Sequence, residues 1–95
     1  MLTIDEIKEI VTTTACEIQT LSGRPIPEVI DGNLKPIGGF QGFDSLNAVE
    51  VGIQLAERLG CEIKGNPFAD DHKALDLETI AKRLDKLLRE NGATE

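Results

Sequence analysis

At 95 residues, with 17 Asp and Glu against 10 Lys and Arg and a formal net charge of -7, the sequence is that of one domain, residues 1–95, able to bury a single modest core without an obligatory disulfide or metal. The acidity argues against nucleic acid as a partner, since phosphate contacts need clustered Lys and Arg, and makes basic protein surfaces the expected ones. An aromatic content of 3%, with no Trp or Tyr, leaves no stacking platform for bases or sugars and predicts an aliphatic core.

The opening stretch mixes charges with apolar residues from Asp5 onward. That pattern fits neither a signal peptide nor a transit sequence, so a cytoplasmic location is expected. Thr3 followed by Glu6 is a capping-box signature, and Ile4, Ile7, Val11, Ala15, Ile18 and Leu21 repeat behind it at three- and four-residue spacing, which predicts a helix over 4–21. Ser22-Gly23 stops it, and Pro25 and Pro27 prevent its continuation. From 23 to 43 the chain carries three prolines and five glycines, with Ile26, Val29, Ile30, Leu34 and Ile37 spaced through it. This predicts a long pinned loop with one short turn over 28–31.

A second long helix is predicted over 45–59, stopped by Gly60. Asn47, Glu50, Gln54, Glu57 and Arg58 share a narrow polar stripe on it and apolar residues cover the rest. It reads as the central element, touching both other long helices along stripes 46-49-53-56 and 48-51-55-59. Glu50 and Gln54 break even this richest stretch, so no apolar run approaches the roughly 20 residues needed to insert across a membrane. A loop over 61–67 and a short third helix within 68–75 follow. Asp76 then caps a last helix with Glu78 in its first turn, Leu77, Ile80, Ala81, Leu84, Leu87 and Leu88 inward, Lys82, Lys86 and Arg89 outward, and Asn91-Gly92 as terminator. The predicted fold is all-α: a small four-helix bundle of three long helices and one short one, with a long loop between the first two and no strand.

Self-contained catalysis has little support in these residues. His72 is the only histidine, and the stretch around the candidate serine reads Phe43-Asp44-Ser45-Leu46-Asn47, without a Gly-x-Ser-x-Gly elbow. Among Asp70, Asp71 and Lys73, His72 reads as a solvated surface residue. Asp70-Asp71 and Asp31-Gly32-Asn33 lack calcium-loop spacing, so no structural metal is expected. Cys16 and Cys61 form no CxxC or Cys/His pattern and read as reduced packing residues.

Ser45 is the remaining candidate. A serine at a helix start normally caps, but Asp44 can take that duty. Ser45 then falls in the first turn, exposed near the positive pole of the helix dipole, where a phosphate is stabilised. One exposed hydroxyl at the end of a Gly-rich loop is suited to covalent modification by another enzyme.

The chain resembles the acyl carrier proteins through Gly42-Phe43-Asp44-Ser45-Leu46, then Ala48-Val49-Glu50 and Leu55, then Glu62-Ile63 and Leu75-Asp76-Leu77. The resemblance spans most of the chain and implies a non-catalytic monomer carrying 4'-phosphopantetheine covalently on Ser45, flanked by Asp44 and Leu46. Acyl intermediates would ride the arm as thioesters in fatty acid, lipid or polyketide-type biosynthesis. The implied partners are a phosphopantetheinyl transferase and acyl-transferring or acyl-activating enzymes with basic patches. Glu50 and Glu57 are the candidate charged contacts, and Leu46, Val49 and Ile53 the candidate stripe beneath the arm that shelters an acyl chain. Where housekeeping fatty-acid carriers show a denser acidic run, this chain has Asn47, Gln54 and Arg58, which favours a specialised standalone carrier. Phe43 is familiar from polyketide-type carriers, and Asp44 argues against peptidyl ones. The competing reading is a cofactor-free helical module for protein–protein interaction, with Ser45 as a second capping residue.

Self-repulsion at this net charge opposes compaction. The melting temperature is expected to rise between about 10 mM and 150 mM NaCl, as the Debye length falls from roughly 30 to 8 Å; an unchanged or lower value contradicts this.

Overall fold

The computed structural model describes residues 2–63, 66–70 and 73–90. Asp71, His72 and the Asn91-Gly92 terminator lie outside them. Helix α1 (Ile4–Leu21) begins as its sequence demands: the Thr3 hydroxyl accepts from the Glu6 N–H at 3.1 Å and the Glu6 carboxylate accepts from the Thr3 N–H at 2.8 Å. It ends in a Schellman arrangement, in which the N–H of Gly23 (φ +72°) donates to Thr20 and that of Arg24 to Gln19.

The long connection is pinned, though its turns fall elsewhere than 28–31. The Asp31 carboxylate accepts from the Asn33 N–H at 2.9 Å, and the Asp31 carbonyl accepts from Leu34. Pro36 then opens a single helical turn, α2 (Pro36–Gly39), in which Ile37 and Gly38 already leave helical angles. The Leu34 and Gly32 carbonyls accept from Leu77 and Glu78, the first two N–H groups of α4 (Leu77–Glu90), and the Asp76 carboxylate accepts from Thr79 at 2.8 Å. Of these three donors that no helix can satisfy internally, two hold the loop against the bundle and the third is capped locally by Asp76.

Helix α3 (Ser45–Leu59) has the predicted bounds, and Gly60 closes it in the left-handed conformation. The predicted short helix within 68–75 is replaced by two antiparallel two-residue strands, β1 (Ala69–Asp70) and β2 (Lys73–Ala74), paired Ala69 to Ala74 and Asp70 to Lys73. Helix formers are plentiful there, but so short a segment gains little from propensity and follows its tertiary partners. Buried Phe68, whose carbonyl accepts from Leu75, and an ion pair of Asp70 with Arg83 at 3.5 Å tie the ribbon to the helices.

The central helix is α1, on which both α3 and α4 pack, and not the helix over 45–59. Ile7, Val11 and Ala15 meet Ala48, Val51 and Leu55 of α3 and Leu77, Ile80, Ala81, Leu84 and Leu88 of α4 in one core. Of the two apolar stripes of α3, Ala48, Val51 and Leu55 are buried, whereas Leu46, Val49 and Ile53 are exposed. Leu21, apolar by period, is also exposed, beside the end of its helix. The core is not purely aliphatic, because Phe40, Phe43 and Phe68 are buried together. Lys8 joins α1 to α4 through Glu78 at 2.7 Å; the bond holds the Glu78 carboxyl below its ordinary pKa and raises that of Lys8, so the pair stays ionised through neutral pH. Among the described residues no helix is long and apolar enough to cross a membrane.

This orientation of α3 is tested by paired truncations. Leu55→Ala is expected to lose about 2–5 kcal/mol in denaturant unfolding, and Ile53→Ala no more than about 0.5 kcal/mol. Equal losses contradict it.

Candidate functional site

The site is built from the Gly-rich approach to α3. Phe43 is the anchor: its ring meets Phe40 edge-on at a centroid distance of 5.8 Å and stacks on Phe68 at 5.5 Å. Its N–H donates to the Phe40 carbonyl at 3.1 Å, closing a turn in which Gly42 has φ +75°. With Phe43 drawn inward, Asp44, Ser45 and Leu46 emerge in succession on the surface.

Asp44 is the N-cap of α3. Its carboxylate accepts from the Asn47 N–H at 3.1 Å, and its own N–H donates to Asn47 Oδ1 at 3.3 Å. This is a capping box with Asn in place of the usual Glu or Gln. Ser45 is therefore the first residue of the helix, exposed, with its side chain outside the cap. It lies where unpaired backbone N–H groups and the helix dipole favour an anion, by about 0.3–1 kcal/mol for a surface group. An exposed hydroxyl with neither burial nor a capping role, at the positive end of a 15-residue helix, fits the attachment of a phosphodiester.

Two residues from α1 and its exit brace this approach. Gln19, fully buried, donates through Nε2 to the Pro25 carbonyl at 3.2 Å and the Gln41 carbonyl at 3.0 Å, tying the two ends of the connecting loop together. Arg24 donates through Nη1 to the Gly42 carbonyl at 2.7 Å and to Asn47 Oδ1 at 2.8 Å. Sequence reasoning missed both residues and placed Asn47 on the polar outer stripe, whereas Asn47 is buried. The Asp44-x-x-Asn47 spacing could have identified the box. Nothing local signals a contact between residues 23 positions apart.

The other site candidates sort by face. Glu50 and Glu57 are exposed on α3, as a partner-facing role requires. Leu46, Val49 and Ile53 are 70%, 39% and 60% exposed, so they form an outward apolar face instead of lining the interior for an acyl chain. Apolarity around most of α3 signalled burial, but a face reserved for a partner has the same composition. Cys16 and Cys61 are free and half-buried, with burial pushing both thiols up in pKa, which suits inert packing residues. Among the described residues no group of three or more His, Cys, Asp and Glu is placed to hold a metal ion.

No protein-family model, curated protein or solved structure matches this chain.

Because Asp44 rather than Ser45 caps α3, Asp44→Ala is expected to cost about 0.5–2 kcal/mol in thermal or denaturant unfolding, and Ser45→Ala almost nothing. A comparable loss from Ser45→Ala would make that serine a capping residue after all.

Proposed function

We propose that this chain is an acyl carrier protein whose 4'-phosphopantetheine arm is attached through Ser45. The observation that carries the proposal is the division of labour at the start of α3, where Asp44 performs the cap and Ser45 is left exposed as the first helical residue. The motif resemblance around Gly42-Phe43-Asp44-Ser45-Leu46 supplies the identity of the arm.

The chain's own part in the reaction is presentation. Ser45 Oγ, activated by a separate Mg²⁺-dependent transferase, attacks the pantetheine-bearing phosphorus of coenzyme A. A new O–P bond forms, the diphosphate P–O bond breaks, and adenosine 3',5'-bisphosphate leaves. The hydroxyl proton passes to the transferase. When attached, the arm supplies a terminal thiol that holds acyl groups as thioesters. The α3 dipole stabilises the phosphodiester charge at its attachment point. The carrier itself makes and breaks no acyl bond.

Recognition by partner enzymes uses α3. Its exposed Leu46, Val49 and Ile53 offer an apolar contact and its exposed Glu50 and Glu57 offer charges for Lys and Arg patches. Charge of that kind speeds encounter and rejects wrong partners more than it adds affinity. A specialised rather than a housekeeping carrier fits the buried Asn47, which serves the capping box and so adds nothing to an acidic recognition surface.

Incubation with coenzyme A, Mg²⁺ and a broad-specificity phosphopantetheinyl transferase is expected to raise the intact mass of the unmodified chain by one phosphopantetheine, and to leave folded Ser45→Ala unchanged. No gain by the folded, unmodified wild type contradicts the carrier function and leaves the cofactor-free interaction module as the account.

A further inference from the structure

Resting on the carrier reading, we infer that Arg24 is a positioning residue for modification at Ser45. The guanidinium holds a backbone carbonyl before the acceptor and a side chain after it. A single nitrogen, Nη1, donates to the Gly42 carbonyl at 2.7 Å, three residues before Ser45, and to Asn47 Oδ1 at 2.8 Å, two residues after it. Asn47 Oδ1 is the oxygen that accepts from the Asp44 N–H. Arg24 therefore sets the rotamer of the side chain that completes the capping box, as well as the path of the loop entering it.

The arginine end of this clamp is fixed by the helix that precedes it. The Schellman closure of α1 sets the Arg24 backbone, with its N–H donating to Gln19 at 2.9 Å. Gly42 is held at φ +75°, and a Cβ there would lie 3.0 Å from both Cδ and Nε of Arg24, so the arginine lies directly against that backbone. The placement runs against helix electrostatics, since a cation beside a helix N-terminus is disfavoured by the dipole. Its hydrogen bonds to a carbonyl and an amide oxygen compensate for that cost. Arg24 thus bridges the incoming loop and the start of α3 with one charged group.

The consequence is kinetic. Without Arg24 the Gly42 peptide and the Asn47 side chain, which lose their shared donor, sample other arrangements, and only the fraction with the native turn is competent for the transferase. An equilibrium of that kind raises the apparent KM for the carrier by the inverse of the competent fraction and leaves kcat in place.

The test measures transferase kinetics with coenzyme A and Mg²⁺ on wild type, Arg24→Ala, Arg24→Lys and Arg58→Ala, alongside thermal melting. Arg58 is the control. It also makes two side-chain hydrogen bonds between elements, to Thr14 at 2.8 Å and Glu17 at 2.6 Å, but from the far end of α3. Arg24→Ala is expected to raise KM about tenfold with kcat within about twofold. Arg24→Lys, which keeps the charge on a shorter stem, is expected to restore part of the loss, and Arg58→Ala leaves KM unchanged. Should Arg24→Ala fail to fold, Arg24→Gln removes the charge while keeping part of the stem, and the same KM increase is expected. An unchanged KM in a folded Arg24 variant, or an equal increase in Arg58→Ala, overturns the positioning role. Failure of wild type itself to be modified overturns the carrier reading instead, so the two outcomes are distinct.

Discussion

Burial of Phe43 between Phe40 and Phe68 decides where everything at the start of α3 is placed. A chain that drives one residue into the core immediately before a helix begins must bring the next residues to the surface. Asp44 then reaches back over the first turn as the cap, and Ser45 stands outside it. The apolar contact supplies the driving force and the hydrogen bonds supply the register, a division that suits an aromatic anchor with no polar handle of its own. A small side chain at position 43 would leave a void at the meeting point of the loop, the ribbon and α3.

The rest of the fold keeps that end of the molecule rigid with few parts. Helix α1 is the spine, and the long loop wraps from its end to the start of α3 with five carbonyls committed: Pro25 and Gln41 to Gln19, Gly42 to Arg24, Gly32 and Leu34 to the start of α4. These bonds have directional geometry and specific partners, so they hold the loop to one path alongside its scattered Ile and Leu contacts. A loop of this length is stable because it acts as a capping device for two helices at once.

How much of this was legible in the sequence follows from how local each determinant is. The bounds 4–21 and 45–59 were readable because Thr3, Glu6, Asp44, Gly23 and Gly60 signal within a few residues. Asp76 at the start of the last helix was readable for the same reason. The β1–β2 ribbon was not, because the burial of Phe68 in the core and the ion pair with Arg83 are tertiary contacts that the local pattern does not record. The choice of central helix failed for a different reason. Apolar residues on nearly every side of α3 imply that it is covered, yet Leu46, Val49 and Ile53 face outward. Hydrophobicity records that a face avoids water somewhere in the protein's working life, and the free chain need not be where that occurs. Ser45 and its cap were legible from the Asp44-Ser45 order, whereas Arg24 and Gln19, which secure the turn, act across the loop and leave no mark in the local pattern.

The central claim is that Ser45 is presented for a covalent arm. Its most direct measurement is peptide mass spectrometry of the chain recovered from the cells that naturally make it, reading the peptide that contains Ser45. The account predicts phosphopantetheine on Ser45, with or without an acyl group on the thiol. A recovered population bearing only unmodified Ser45 would contradict it.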